Sequence, residues 1–129
     1  MIIQGLVNPH IASLLCRVRH TNTLVIADAA FPFWPEIETV DMALTHGIPT
    51  IPQVLEVLLP AWKCGGAWMA EEFKAHNTPQ HQQVFERARG GVPVHFEPHI
   101  EFKKRVPSAI GLIRTGDTTA YGNIILVSV

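Results

Sequence analysis

Residues 23–28, with the sequence TLVIAD, form a short apolar run that ends in a carboxylate. The length of the run and its β-branched side chains predict a strand that is buried on both faces. A helix is expected just before it, because Asn8 suits a helix cap and Pro9 suits the first helical position. Apolar residues then recur at helical spacing. We therefore predict a helix that ends near His20 and leads directly into a buried strand.

The rest of the chain continues this alternation of strands and helices. Further strands are predicted at residues 40–44, 66–71, 93–98, 109–115 and 123–129. Helices are predicted after Thr50, from Thr78 to Arg89 and at residues 99–105. Such alternation favours an α/β fold, namely a three-layer α/β/α domain. The short loop at Gly116 and Asp117 predicts that the last two strands form an antiparallel hairpin, so the sheet should be mixed.

Length and composition set the broad class of the protein. A chain of 129 residues fits one domain, residues 1–129, with a core that needs no disulfides. Only 16% of the residues are charged, which favours self-association into an oligomer. The net charge of −1 and the lack of basic or long apolar runs argue against nucleic acid or membrane partners. Cys16 and Cys64 predict free thiols and a cytoplasmic location.

The familiar motifs of cofactor and metal enzymes are absent from the sequence. It contains no GxGxxG, P-loop, GxSxG or HExxH motif, so we expect no cofactor. The seven histidines are poorly spaced for a metal site. His95 and His99 are four residues apart, but Pro98 disfavours a helix between them. His76 and His81 are expected to be solvated surface residues. We therefore predict no metal site.

Three places carry candidate functional side chains. His20 is predicted at a helix C-terminus, where the helix dipole favours a charged imidazolium. Asp28 lies at the carboxyl end of a strand, where open α/β sheets bind ligands. Tyr121 and Asn123 offer a hydroxyl and an amide to sugar hydroxyls, and Gly122 allows close backbone approach or a positive φ. Position alone leaves structural roles open: a helix cap, a loop cap and an ordinary strand-entry turn.

These residues lie in stretches that resemble the D-ribose pyranase and L-fucose mutarotase family. The stretches keep their order and spacing over nearly the whole chain: RHTNTLVIADAAFP (19–32), VDMALTHGIPTIPQVLEVLLP (40–60), MAEEFKAHN (69–77), HIEFKKR (99–105) and IRTGDTTAYGNIIL (113–126). Within them, DMALTHGIP and AEEFKAHN are closer to the pyranase branch. DAAFP and YGNIIL are closer to the fucose branch.

The resemblance implies a cofactor-free isomerase that interconverts ring or anomeric forms of a free monosaccharide, foremost the pyranose and furanose forms of D-ribose. It implies that His20 is the proton donor. It gives contacts with the sugar to five residues: Asp28, His99, Tyr121, Gly122 and Asn123. Asp28 would orient His20 or hold a sugar hydroxyl. The resemblance also implies a cytoplasmic pentameric ring stacked into a homodecamer, with sites between neighbouring subunits.

Two other functions stay open at this point. One is an L-fucose-type mutarotase that exchanges anomers, in which Trp34 would stack on the sugar instead of packing in the core or an interface. The other is a non-catalytic monosaccharide-binding or transport-associated protein. Such a protein would keep Asp28, Tyr121 and Asn123 but would not need a titrating His20.

Arg19 departs from the family pattern, which usually has glycine before the histidine. Glycine is the easiest residue for a left-handed helix stop. Arg19 must therefore tolerate that geometry or change it. Arg19 would also place a cation beside His20.

Overall fold

A computed structural model of the chain, which describes residues 1–129, contains five α-helices and six strands. The helices are α1 (Pro9–Arg17), α2 (Ile51–Leu58), α3 (Glu72–His76), α4 (Pro79–Arg89) and α5 (His99–Arg105). The strands are β1 (Thr23–Ala27), β2 (Glu38–Asp41), β3 (Cys64–Ala70), β4 (Val94–Glu97), β5 (Gly111–Arg114) and β6 (Ile124–Ser128). Short 3₁₀ helices, Leu59–Ala61 and Val106–Ser108, follow α2 and α5. No helix has both the length and the apolar character that crossing a bilayer requires.

The strands form one mixed sheet in the order β2-β5-β1-β6-β3-β4. Strand β5 is parallel to β1 and β2, and β3 is parallel to β4. Strand β6 is antiparallel to both of its neighbours, β1 and β3. Helices cover both faces of the sheet, so the predicted α/β sandwich with a mixed sheet is confirmed.

The predicted hairpin between the last two strands is wrong, because β1 lies between β5 and β6. The connecting segment is held by distant parts of the chain instead of turning back on itself. Asp117 Oδ2 accepts the N–H of Ile51 at the start of α2 (2.8 Å). The N–H of Ala29 donates to the Asp117 carbonyl oxygen (2.9 Å). These bonds hold the segment across the carboxyl end of β1, so that it connects β5 on one side of β1 to β6 on the other.

The two faces of the sheet bury clusters of different size. Leu24 and Ile26 of β1 face the larger cluster, which α1, α2, α3 and α4 complete. Val25 and Ala27 face the smaller one, which contains Phe102 of α5. The alternation along β1 follows from the period of two in a strand. β1 is thus buried on both faces, as its sequence predicts.

Local capping explains most helix starts. Asn8 Oδ1 accepts the N–H groups of His10 and Ile11, each at 3.0 Å, at the start of α1. Thr50 and Gln53 form a reciprocal capping box at the start of α2. The sequence pattern does not predict α3, because its five residues are too few for a helical period to show.

Candidate active site

Asp28 and Asn123 meet at the carboxyl end of β1. Ile26 pairs with Ile124 in the antiparallel β1–β6 ladder, so the residues just beyond this pair come side by side. The N–H of Asp28 donates to Asn123 Oδ1 (2.7 Å), and Asn123 Nδ2 donates to Asp28 Oδ2 (3.1 Å). This reciprocal pair fixes the orientation of the amide and of the carboxylate.

The carboxyl group of Asp28 is electrostatically unusual. Burial raises its pKa above the ordinary value of an aspartate, and the nearby charge of Asp117 adds to this. Hydrogen bonds from Asn123, Ala30 and Phe31 act in the opposite direction but do not cancel the effect of burial. Asp28 is thus a half-buried acceptor that gains a proton more readily than a surface aspartate does.

His99 is the first residue of α5 and lies beside Tyr121. The two rings are edge to face, with centroids 5.1 Å apart. Burial lowers the pKa of His99, and Lys103 lowers it further, whereas Glu72 and Asp28 raise it. His99 Nδ1 is buried and has no hydrogen-bond partner in the chain. A neutral imidazole with an unpaired buried nitrogen is suited to bind a polar ligand.

Tyr121 and Gly122 form the turn that leads into β6. Tyr121 has a left-handed backbone (φ 56°). Gly122 is needed for close approach, since an added Cβ would lie 3.2 Å from atoms of Phe85 and of Thr119. A glycine was expected here for close backbone approach or for a positive φ. The structure supports close approach at Gly122, and the positive φ belongs to Tyr121.

The structure thus brings five of the six predicted residues together: Asp28, His99, Tyr121, Gly122 and Asn123. His20 lies elsewhere, at the amino end of β1. The five residues of β1 separate it from Asp28, which is about 16 Å at roughly 3.3 Å per residue. Within one chain, Asp28 is too far from His20 to orient it, and an orienting contact between copies of the chain stays a prediction.

His20 lies in an exposed turn instead of at a helix end. α1 ends at Arg17, and the next residue, Val18, is already extended. Arg19 N–H donates to Asn22 Oδ1 (2.7 Å), and Asn22 N–H donates to the Arg19 carbonyl oxygen (3.0 Å). The left-handed residue of this turn is Thr21 (φ 68°). Of the two alternatives for Arg19, to tolerate a left-handed backbone or to change the geometry, the structure supports the second. His20 therefore lies outside the last turn of the helix, and the predicted position at a helix C-terminus is wrong.

Comparison with known proteins identifies the family. A model of the RbsD / FucU transport protein family matches residues 1–129. The chain belongs to this family. A D-ribose pyranase from Geobacillus kaustophilus is 39% identical over 125 residues, which cover 96% of this chain and 90% of that protein.

Solved structures agree with this assignment. The structure of Bacillus subtilis RbsD complexed with D-ribose superposes with a TM-score of 0.90 at 31% identity, covering 99% of this chain and 97% of that chain. The fucose mutarotase from Streptococcus pneumoniae, solved with L-fucose, has a TM-score of 0.74 at 20% identity, covering 94% of this chain and 91% of that one. The second likeness shows a shared fold.

Sequence reasoning missed several residues around the site of this family member. The Nε2 atom of His81, expected to be solvated, lies 2.7 Å from Thr119 Oγ1. The exposed ring of His76 packs against Tyr121, with centroids 4.9 Å apart. Glu72 binds the backbone of His99. Spacing gives no sign of these contacts, because each joins elements that meet only in the folded chain.

Trp34, a candidate for stacking on the sugar, lies against the hydrophobic core. Trp34 is half-buried and packs against the smaller core cluster. This supports the packing interpretation of Trp34 and not the sugar-stacking one. No group of three or more His, Cys, Asp or Glu side chains is arranged to hold a metal ion.

Proposed function

We propose that this RbsD / FucU family member is a cofactor-free isomerase that interconverts the pyranose and furanose forms of D-ribose. The convergence of Asp28, His99, Tyr121 and Asn123 at one end of the sheet carries the proposal. It supplies a carboxylate, a neutral imidazole, a phenol and an amide to a polyhydroxylated ligand. Nearly the whole chain aligns with D-ribose pyranases and with the RbsD that was solved with D-ribose, which supports ribose as that ligand.

The proposed reaction needs only proton transfers. A proton reaches the ring oxygen while another leaves the anomeric hydroxyl, and the bond between the anomeric carbon and the ring oxygen breaks to give the open aldehyde. A different hydroxyl then attacks the aldehyde, and the protons return. A histidine is suited to this because it titrates near neutral pH. General acid–base help of this kind contributes about 10²–10⁴-fold.

The four polar residues at the carboxyl end of β1 hold the sugar. Asp28 accepts a hydrogen bond from a sugar hydroxyl, and the hydrogen bond that Asn123 Nδ2 donates to Asp28 keeps the carboxylate in place. The unpaired Nδ1 of His99 is satisfied by a second hydroxyl. Tyr121 closes the site next to His99. These contacts fix the ring so that its oxygen is presented to the proton donor.

The proton donor is His20 of a second copy of the chain. β1 spans about 16 Å, with His20 before it and Asp28 after it, so the His20 of the same chain cannot reach a sugar bound at Asp28. We propose a pentameric ring, stacked into a homodecamer, with each site between neighbours. Exposed apolar side chains support self-association, among them Phe33, Leu44 and Ile48. The free thiols of Cys16 and Cys64 fit a cytoplasmic location.

Saturation-transfer NMR on ribose tests the function directly. The protein should accelerate exchange between pyranose and furanose signals, and His20→Gln should lower kcat by about 10²–10⁴-fold. His10→Gln is the matched control, since His10 is also exposed. An unchanged exchange rate in His20→Gln would remove His20 from the mechanism.

A second candidate function is supported by DAAFP and YGNIIL, the two stretches closer to the fucose branch. In that case the enzyme would exchange anomers of L-fucose. Measuring exchange for ribose, fucose and galactose at equal concentration separates the two enzymes. Binding of a sugar without acceleration at any pH would identify a non-catalytic sugar-binding protein instead.

A further inference from the structure

Residues 72–77, which are α3 and the residue after it, contact the two stretches of chain that carry His99 and Tyr121. Both carboxylate oxygens of Glu72 accept the N–H of His99, each at 3.0 Å. Asn77 Nδ2 donates to the carbonyl oxygen of Ala120 (2.9 Å), in the peptide group that leads into Tyr121. One short segment therefore holds two stretches of chain that lie more than 20 residues apart in sequence.

The start of α5 depends on this contact. The first N–H groups of a helix have no partner inside the helix. Pro98 at the cap position offers no side-chain hydrogen bond, so the chain itself does not cap α5 locally. Glu72 supplies the missing acceptor from α3, and its negative charge suits the positive end of the helix dipole. The N–H that donates to Glu72 belongs to His99, so this cap also fixes the position of the imidazole.

The Tyr121 turn depends on the same segment. A left-handed tyrosine is strained, so it persists only where its surroundings hold it. Asn77 Nδ2 binds the carbonyl oxygens of Phe73 (2.8 Å) and Ala120, which ties the turn to α3. His76 packs on the Tyr121 ring, and its Nδ1 donates to the Glu72 carbonyl oxygen (2.9 Å). The strained turn is therefore held through its backbone and through its side chain.

We propose that residues 72–77 are the positioning element of the sugar site, in which Glu72 sets His99 while His76 and Asn77 set Tyr121. The proposal builds on the ring-interconversion function, because it assigns the sugar-binding role of His99 and Tyr121. It makes Glu72 and His76 positioning residues that act without touching the sugar.

The expected signature is a change in KM that exceeds the change in kcat. Within one chain, the hydrogen bonds of the turn that carries the proton donor His20 lie inside the turn or go to Ser128, and none goes to α3. Its chemistry should therefore be preserved while the hold on the sugar loosens. Glu72→Ala should raise KM for ribose about 10–100-fold, since a displacement near 1 Å costs up to about 10²-fold. Glu72→Gln keeps an oxygen acceptor for the His99 N–H and should recover most of this loss.

The matched control is Glu71→Ala. Glu71 is the adjacent residue, is exposed and enters no ion pair. His76→Ala removes an exposed ring and should raise KM about 3–10-fold without unfolding the chain. It therefore keeps the proposal testable if Glu72→Ala does not fold. Thermal unfolding of each variant shows that the folded state is intact.

The outcomes separate this proposal from the function on which it builds. KM values for Glu72→Ala and His76→Ala that equal the Glu71→Ala value overturn the positioning role while the function stands. If the unsubstituted chain binds ribose but exchanges no sugar, the function fails. Calorimetry then tests the positioning role through the affinity for ribose, and the variants should rank in the same order by affinity as they would by KM. If the chain binds none of ribose, fucose and galactose, both proposals are overturned.

Discussion

The two ends of β1 differ in almost every physical respect. At the carboxyl end, Asp28 is half-buried, shares two hydrogen bonds with Asn123 and lies near a partly desolvated His99. At the amino end, His20 lies exposed in a turn that Thr21 and Asn22 shape. The carboxyl end gathers several buried polar groups, and the amino end presents a single exposed histidine. The contrast supports the proposal that one chain carries two halves of different sites.

The strongest test of this contrast combines two impaired chains. In pure assemblies, His20→Gln should lower exchange about 10²–10⁴-fold, and Asp28→Asn should lower it about 10–100-fold at ribose concentrations well below KM. When the two variants are co-expressed, random mixing places an intact His20 beside an intact Asp28 in about a quarter of the sites, so about a quarter of wild-type activity returns. Ribose exchange by NMR measures the recovery.

The control for that experiment is the same co-expression with a different affinity tag on each variant, because co-purification of the two tags reports how freely the subunits mix. If each site were built within one chain, every chain of the mixture would lack one essential group. No recovery despite free mixing would therefore contradict a site shared between copies.

A smaller effect is expected in the pH dependence of binding. Burial raises the pKa of Asp28, so this carboxyl group becomes protonated at a higher pH than an ordinary aspartate does. The acceptor form is fully present above that pKa and is lost as the pH falls through it. Ribose affinity should thus decline on acidification at a pH above the usual aspartate range.

Asp28→Asn removes this titration. The variant should bind ribose about 10–100-fold more weakly at neutral pH, because it removes a charged acceptor whose hydrogen bonds are the strong ones. It should also lose the part of the acid decline that Asp28 causes, and the part caused by His99 should remain. Calorimetric titrations across pH measure both. An unaltered acid decline in Asp28→Asn would assign the whole decline to another group.

The smallest expected effect concerns packing at the carboxyl end. Gly122→Ala would place a Cβ 3.2 Å from Phe85 and Thr119, so these neighbours must shift. We expect a loss of about 1–3 kcal/mol in the free energy of unfolding. Gly91→Ala is the control, since nothing lies within 4 Å of the added Cβ. Denaturant unfolding compares the two, and equal stabilities would mean that the turn repacks without cost.

Much of the fold follows from local signals. The HIEFKKR stretch gives α5 with the predicted bounds, and capping residues locate α1 and α2. The early end of α1 is not predictable from spacing, because the Arg19–Asn22 turn replaces its last residues. The hairpin prediction failed because loop length does not reveal that Asp117 binds Ile51 and Ala29, which are distant in sequence.

The candidate site was predictable to a similar extent. The strand-end rule locates Asp28, the residue types at 121–123 indicate the turn before β6, and the resemblance adds the start of α5. The distance between His20 and Asp28 was already implicit in the sequence, since one precedes β1 and the other follows it. Glu72 and His76 were not predictable, because a five-residue helix shows no period and their contacts are tertiary.

The position of β6 in the sheet has a consequence for the order of folding. β6 follows every other strand in the chain, yet it fills the gap between β1 and β3, where Leu24 pairs with Leu126 and Met69 pairs with Ile124. Before β6 docks, the sheet exists as two separate pieces with open edges, which are prone to intermolecular pairing. The Tyr121 turn leads directly into β6, so the proposed sugar site forms with the last strand. A sugar that binds there stabilises only chains that have completed the sheet, and it selects them from those that have not.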